Sequence, residues 1–140
     1  MIARCLVSGE AAGAPFRLDE PLSFWGGFDC ASGRVIDRFH PQHGDCLSGS
    51  ILFVARGRGS SSGASVLAEA IRIGTAPVAI VLQEDDAIIT TGALVAQMLY
   101  GIDCPVISVG DKAEWQRLAV LPRLEIVAGA DAVRFIQPAG

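Results

Sequence analysis

Beyond residue 50 the sequence alternates short apolar runs with longer segments of helical character, and this alternation limits the fold more than any other feature. The predicted strands cover residues 51–55, 78–82 and 106–109. The predicted helices cover residues 64–73 and 87–100, and each ends where a glycine follows, at Gly74 and Gly101. Because strand–helix–strand units of this size require crossover connections, we expect a central parallel sheet.

The segments on either side of this unit predict shorter elements. Before it, residues 2–7, 16–18 and 34–36 predict strands between turn signals, which indicates a β-meander with long loops. After it, Asp111 is a candidate N-cap for a helix that runs to residue 120, and residues 124–127 and 132–136 predict a closing hairpin. The expected fold class is therefore α/β: a β/β/α barrel-like domain with a central parallel sheet and added antiparallel strands.

Length and charge exclude several classes of protein. The chain has 140 residues, which suits one domain covering residues 1–140, and its apolar runs are far shorter than the roughly 20 residues of a membrane span. A net charge of -4 does not suit binding to a phosphate backbone, so we expect neither a nucleic-acid partner nor a membrane. The first residues lack the pattern of a secretory signal, which predicts a cytoplasmic protein.

The four cysteines are widely spaced and contain no C-x-x-C pair, so we expect reduced, mostly buried thiols. Cys30, His40, His43 and Cys46 are residue types that bind zinc, and they lie within seventeen positions. Their order fits no zinc finger, and Pro41 lies between the histidines. We therefore predict a polar loop there and no metal site.

Residues 56–63, with the sequence Arg-Gly-Arg-Gly-Ser-Ser-Ser-Gly, lie between a predicted buried strand and the first clear helix. The glycines allow a sharp turn, and the serine hydroxyls and free N–H groups at the helix start can donate to an anion. Arg58 adds positive charge. A serine-rich N-cap is the alternative interpretation, but one serine suffices for a cap. This segment, called the serine loop below, predicts a site for a carboxylate or a phosphate.

Three known motifs also compete for the serine loop. Residues 59–63 match G-x-S-x-G, but an α/β-hydrolase needs a histidine after its serine, and both histidines precede Ser61. The dinucleotide fingerprint is matched only in outline, because Gly63 is displaced by one position and little chain remains for a substrate domain. A P-loop is excluded, since no Gly-Lys-Ser/Thr follows.

Several motifs in this order resemble one family. They are Pro21-Leu22-Ser23-Phe24-Trp25-Gly26-Gly27-Phe28-Asp29, Gly33-Arg34-Val35-Ile36-Asp37-Arg38, His40-Pro41-Gln42-His43-Gly44, Gly57-Arg58-Gly59-Ser60-Ser61-Ser62-Gly63 and Gly74-Thr75-Ala76-Pro77. Together they are similar to the small subunit, or swivel domain, of aconitase X. The resemblance covers the chain from about Pro21 to Val109 and implies a swivelling domain.

The resemblance also implies a function. Members pair this domain with a large subunit that carries an iron-sulfur cluster, and together they dehydrate small hydroxy acids. We expect cis-3-hydroxy-L-proline as substrate, because the arginine-rich, alanine- and glycine-rich composition suggests a bacterial genome rich in G and C. The alternatives are mevalonate 5-phosphate, or a non-catalytic module that binds a small anion. The cluster is expected in the large subunit and not in this chain.

In the wider aconitase superfamily a related turn supplies a serine base and an arginine that binds substrate. Alignment on the glycines implies that Ser60 is the catalytic base. Arg58, Ser61 and Ser62 are the expected substrate-binding residues, since Ser62 stands where the superfamily has arginine and Arg58 can replace that charge. We expect the side chains of Ser61 and Ser62 to cap the helix, and their N–H groups to donate toward Ser60 or the substrate.

Two further segments carry predictions. Residues 24–27 and 40–44 predict a surface for the large subunit, with Trp25 as an anchor, although burial of Trp25 in the core fits the sequence nearly as well. In the acidic turn at residues 83–86, Asp86 predicts a helix cap and not an acid–base residue.

Overall fold

The fold is described by a computed structural model that covers residues 3–138. Its ten strands and four helices follow the order β1 (Ala3–Val7), β2 (Gly9–Gly13), β3 (Pro15–Arg17), α1 (Phe24–Gly27), β4 (Phe28–Asp29), β5 (Arg34–Val35), β6 (Ile51–Phe53), α2 (Gly63–Ile73), β7 (Ala79–Leu82), α3 (Ala87–Tyr100), β8 (Val106–Val109), α4 (Lys112–Ala119), β9 (Leu124–Ala128) and β10 (Val133–Ile136). The predicted helices and strands beyond residue 50 are confirmed to within two residues at most ends.

The central sheet has five strands in the order β1-β8-β7-β6-β3. Strands β3, β6, β7 and β8 are parallel, whereas β1 pairs with β8 in the antiparallel direction. A second, antiparallel sheet has the order β10-β9-β2. The predicted α/β class, with a parallel centre and antiparallel additions at both ends of the chain, is confirmed.

Buried side chains divide between the two faces of the central sheet because successive residues of a strand point to opposite sides. Leu52 packs with α2 and α3 on one face, and Phe53 packs with α4 and β9 on the other. On the second face, the Trp115 ring lies 5.6 Å from the Phe53 ring, centre to centre, and its indole N–H donates to the Val81 carbonyl. The sheet is therefore covered on both sides.

The predicted β-meander in the first fifty residues is wrong. A meander pairs each strand with the next one along the chain, but β1 pairs with β8, β2 with β9 and β3 with β6. These strands are short, and each completes the edge of a sheet formed by the second half of the chain. The predicted first strand began at Ile2, which lies outside the described residues, and β2, α1 and β4 were not predicted.

The helix ends follow local chemistry. Gly74 and Gly101 adopt left-handed conformations with φ of 86° and 65°, and their N–H groups donate to carbonyls of the preceding helix, as the sequence predicted. Asp111 caps α4 by accepting from the N–H groups of Ala113 and Glu114. Among residues 3–138, no helix has both the length and the hydropathy of a membrane span.

The cysteines differ in exposure more than the sequence predicted. Only Cys104 is buried, Cys5 and Cys30 are half-buried, and Cys46 is exposed. Burial raises the pKa of the Cys104 thiol to about 12, whereas a hydrogen bond with the Ser48 side chain lowers the pKa of Cys46. Exposure of Cys46 follows from its position in the polar loop between β5 and β6.

This difference predicts the order of thiol alkylation. With iodoacetamide at neutral pH, we expect Cys46 to react first and Cys104 last. The rise in the pKa of Cys104 alone reduces its thiolate fraction about a thousandfold relative to an ordinary thiol. Peptide mass spectrometry over a time course measures the four rates, and equal rates for Cys46 and Cys104 in the folded protein would contradict the structure.

Candidate functional site

The serine loop joins the end of β6 to the start of α2, at the carboxyl edge of the parallel strands. Ligands of open α/β sheets bind at this edge. The side chains of Arg58, Ser60, Ser61 and Ser62 are all exposed there. The four residues therefore lie together in one exposed loop, as the sequence predicts. Their roles remain predictions.

A carboxylate from the next βα unit holds the start of the serine loop. One oxygen of Asp86, Oδ2, accepts the N–H of Gly57 at 2.9 Å, and the other, Oδ1, accepts the N–H of Ile89 at 2.9 Å. The second bond caps α3, so the prediction that Asp86 is a helix cap is confirmed. The first bond was not predicted, and it ties the serine loop to α3.

The glycines of the loop allow close contacts. A Cβ atom at Gly57 would lie 3.0 Å from Asp86 Oδ2, and a Cβ atom at Gly59 would overlap the hydroxyl of Ser23. Gly59 also has a φ of 88°, in the region that favours glycine. The Ser23 hydroxyl donates to the Trp25 carbonyl at 2.7 Å. Segment 22–25 therefore packs directly against the turn that precedes Ser60.

Ser60 is the residue whose hydroxyl interacts with the start of α2. Its Oγ accepts the N–H of Ser62 at 3.1 Å, and its carbonyl accepts the N–H of Gly63 at 2.9 Å. The prediction that the side chains of Ser61 and Ser62 cap the helix is wrong for Ser62, which occupies the N-cap position in a helical conformation without a side-chain capping bond. A backbone N–H donated to an oxygen in this way favours negative charge on it.

Arg58 is oriented by a carboxylate outside the loop. Its Nη2 lies 3.1 Å from Asp37 Oδ2, and its backbone N–H donates to the Leu22 carbonyl at 3.2 Å. A hydrogen bond from the Phe39 N–H and the contact with Arg58 lower the pKa of Asp37, so this carboxylate stays charged at neutral pH. The guanidinium retains donors for a second anion, because only one nitrogen contacts Asp37.

The segments predicted to meet a partner are only partly exposed. Trp25 is 57% exposed, which excludes the core alternative, and the neighbouring loop exposes 94% of Phe39 and 46% of Ile36. In contrast, Phe24 and His40 are 3% exposed and cannot form a surface. We call the exposed side chains of Trp25, Ile36 and Phe39 the apolar patch, and it adjoins the Arg58–Asp37 pair.

His40 has a structural role that sequence did not reveal. Its Nε2 lies 3.1 Å from the Glu20 carbonyl and its Nδ1 accepts the N–H of Gln42 at 3.0 Å, so both ring nitrogens are in use.

Within residues 3–138 no three histidine, cysteine or acidic side chains are grouped to hold a metal ion. Cys30, Cys46 and Cys104 donate to three separate backbone carbonyls. Within residues 3–138 the thiols therefore do not form a set that fits an iron-sulfur cluster.

Three supports of the serine loop were missed by sequence reasoning: Ser23, Asp37 and the second role of Asp86. Only Asp86 carried a local signal, because an aspartate before an apolar helix is a typical cap. The partners of Ser23 and Asp37 lie more than twenty residues away along the chain.

The dual role of Asp86 predicts an effect of Asp86→Asn on the serine loop as well as on stability. The amide leaves only one acceptor for two N–H groups, so we expect a loss of about 2 kcal/mol and faster hydrogen exchange at Gly57. Asp111→Asn is the matched control, since it weakens another aspartate cap that does not touch the loop. Equal exchange at Gly57 in the two variants, measured by NMR, would refute the link between Asp86 and the loop.

Comparison with known proteins identifies the family of this chain. The family model for the aconitase X swivel domain matches residues 1–135. The cis-3-hydroxy-L-proline dehydratase of Pseudomonas aeruginosa is 44% identical over 125 residues, which are 85% of this chain but only 22% of that protein. The chain thus spans about a fifth of the length of that relative.

Two archaeal proteins are similar over most of their own length. The phosphomevalonate dehydratase small subunit of Methanothermobacter thermautotrophicus is 41% identical over 93 residues, which cover 66% of this chain and 71% of that protein. The crystal structure of Thermococcus kodakaraensis aconitase X in its holo form superimposes with a TM-score of 0.75 at 29% identity, covering 96% of this chain and 95% of that one. The chain belongs to the aconitase X swivel-domain family.

Proposed function

We propose that this chain is the small subunit, or swivel part, of an aconitase X-type dehydratase, in which Ser60 is the base that removes a proton from the substrate. The observation that carries this proposal is the position of Ser60: its hydroxyl is exposed at the carboxyl edge of the sheet and accepts a backbone N–H at the start of α2. The family membership of the chain supports the reaction class, since relatives are named dehydratases.

Removal of this proton leads to loss of hydroxide from the neighbouring carbon of the substrate. Deprotonated Ser60 takes a proton from the carbon beside the substrate's carboxylate, the C–H electron pair forms the carbon–carbon double bond, and hydroxide leaves the adjacent carbon with the C–O electron pair. In our proposal an iron-sulfur cluster belongs to the large subunit, where its iron would supply a Lewis acid for the departing hydroxide. The residues of this chain supply the base and bind the substrate's anionic group.

The free energy needed to ionise Ser60 explains why a partner is required. An unperturbed serine hydroxyl is a weaker acid than tyrosine, whose pKa is about 10, and each unit of depression requires about 1.4 kcal/mol. The start of α2 contributes at most about 2 kcal/mol, and the hydrogen bond from Ser62 about 1.5–3 kcal/mol once the oxygen is charged. Since Ser60 is exposed in this chain, the remainder must come from exclusion of water by the partner.

Arg58, Ser61 and Ser62 form the proposed substrate-binding part of the loop. The free donors of the Arg58 guanidinium suit a carboxylate, and Asp37 fixes the direction of this side chain. The side chains of Ser61 and Ser62 are exposed in the same loop, and in our proposal their hydroxyls donate to the same anion. These residues bind substrate while Ser60 moves the proton.

For the substrate we propose cis-3-hydroxy-L-proline. This choice is supported by the 44% identity of the chain with the cis-3-hydroxy-L-proline dehydratase of Pseudomonas aeruginosa. Mevalonate 5-phosphate is the second candidate, because the relatives that resemble this chain in length are phosphomevalonate dehydratase small subunits. Assay of both substrates with the cognate large subunit distinguishes the two.

Substitution of the three serines tests the role of Ser60. In the complex with the large subunit, we expect Ser60→Ala to reduce kcat at least about a hundredfold, with unchanged subunit association, because a positioned general base contributes at least that factor. Ser61→Ala and Ser62→Ala are the matched controls and should mainly raise KM. An active Ser60→Ala complex beside an inactive Ser61→Ala complex would assign the base to Ser61 instead.

The same assay separates a dehydratase subunit from the alternative of a small-anion-binding module. A dehydratase subunit has no turnover alone and gains it with the large subunit. Tight binding of a carboxylate by the chain alone, with no turnover of either substrate in the complex, would favour the non-catalytic module.

The apolar patch is the surface that we assign to the large subunit. Trp25→Ala should weaken association at least about tenfold and change the stability of the free chain by less than about 0.5 kcal/mol, because Trp25 is 57% exposed. Met98→Ala is the matched control: Met98 is 74% exposed near the end of α3, at the opposite edge of the sheet. Unfolding of Trp25→Ala, or equal association of both variants, would exclude the patch.

A further inference from the structure

A second concave site lies at the carboxyl edge of the central sheet, beyond the serine loop. It is a crevice of about 690 Å³ between the loop that follows β7 and the loop that follows β8. The crevice exists because α3 packs on one face of the sheet and α4 on the other, so the two loops diverge as they leave neighbouring strands. Its volume lies in the range of small-molecule sites.

The charges that line the crevice are mostly negative. Arg4, Gln83, Glu84, Asp85, Ser108 and Asp111 surround it. Arg4 is the only base among them, and its Nη1 lies 2.5 Å from Asp85 Oδ2. Glu84 has no ion pair with residues 3–138, and Asp111 uses Oδ1 alone to cap α4. Two carboxylates therefore face the crevice without a compensating charge.

Ser108 provides an independent sign that the crevice accepts a ligand. The residue is 6% exposed, and its hydroxyl has no hydrogen bond to any side chain or backbone group of residues 3–138. The crevice is the space that Ser108 lines, and a polar group so deeply buried normally has a partner.

We propose that this crevice binds an organic cation, an ammonium or guanidinium group, as a site separate from the serine loop. The donors of such a group match the acceptors that converge here, which are the carboxylates of Glu84 and Asp111 and the hydroxyl of Ser108. A metal ion does not fit, since no three ligating side chains are grouped within residues 3–138. An anion does not fit either, because the lining holds the carboxylates of Glu84, Asp85 and Asp111 against one arginine.

The site does not depend on the proposed dehydratase role. A guanidinium or ammonium group can come from a free small molecule or from a basic side chain of a partner protein, and both present the same chemistry. The crevice opens on the same edge of the sheet as Ser60.

Titration of the ¹⁵N-labelled chain with methylguanidinium chloride, against sodium chloride at equal ionic strength, tests the site by NMR. We expect saturable shifts confined to residues 83–85 and 108–111. Glu84→Gln should weaken binding about tenfold and Ser108→Ala about fivefold, as expected for loss of a charge-assisted and a neutral hydrogen bond. Glu125→Gln, which removes an exposed carboxylate on β9, is the matched control and should bind as before.

Shifts that do not saturate, that sodium chloride reproduces, or that survive in the folded double variant Glu84→Gln/Ser108→Ala would overturn the proposal. Once binding is established, addition of the large subunit identifies the source of the cation. Displacement of methylguanidinium shows that a basic side chain of the partner occupies the crevice, and simultaneous binding shows a site for a free amine. Either result is separate from turnover, so failure of the dehydratase proposal leaves this test intact.

Discussion

The two hydrogen bonds accepted by the Asp86 carboxylate connect the fold to the site. One holds the first turn of α3, and the other holds the backbone of Gly57 at the start of the serine loop. Because β6 and β7 are neighbours in the sheet, the loop after β6 and the helix after β7 begin side by side. The position of Ser60 is thus determined by the strand order of the sheet as well as by its own glycine-rich turn. Without that order, the loop would keep its glycines and lose its support.

The second half of the fold could be predicted from sequence because its signals are local. A few neighbouring residues suffice to predict buried strands such as β7 and β8. The same holds for the helices that end at Gly74 and Gly101. The first half could not be predicted in the same way. Its strands have two to five residues, and β1, β2 and β3 each pair with a strand from the second half, so no local pattern carries their pairing. Strand β2, with the sequence Gly-Glu-Ala-Ala-Gly, has little strand propensity at all.

The candidate site also combines features that the local sequence reveals with contacts between distant segments that it does not. The serine loop was recognisable from its residues, since three serines between glycines exceed what a cap requires. The pairing of Arg58 with Asp37 and the contact of Gly59 with Ser23 were not recognisable, because they depend on where segments 22–25 and 37–39 return in three dimensions. Exposure of Trp25 was equally undetermined by sequence. A tryptophan beside two glycines fits a core and a surface equally well, and only its exposure in the folded chain decides between them.

The supports of the serine loop also bear on how its chemistry could be moved to another protein. The conformation of eight residues is imposed by contacts from segment 22–25, from Asp37 and from the first turn of α3, which together extend over more than sixty positions of the chain. A graft of the loop alone onto a foreign strand–turn–helix unit would carry the serines without the groups that orient them. The smallest transferable unit is therefore two adjacent βα units with the segment that crosses in front of them, and a designer would have to rebuild that whole edge.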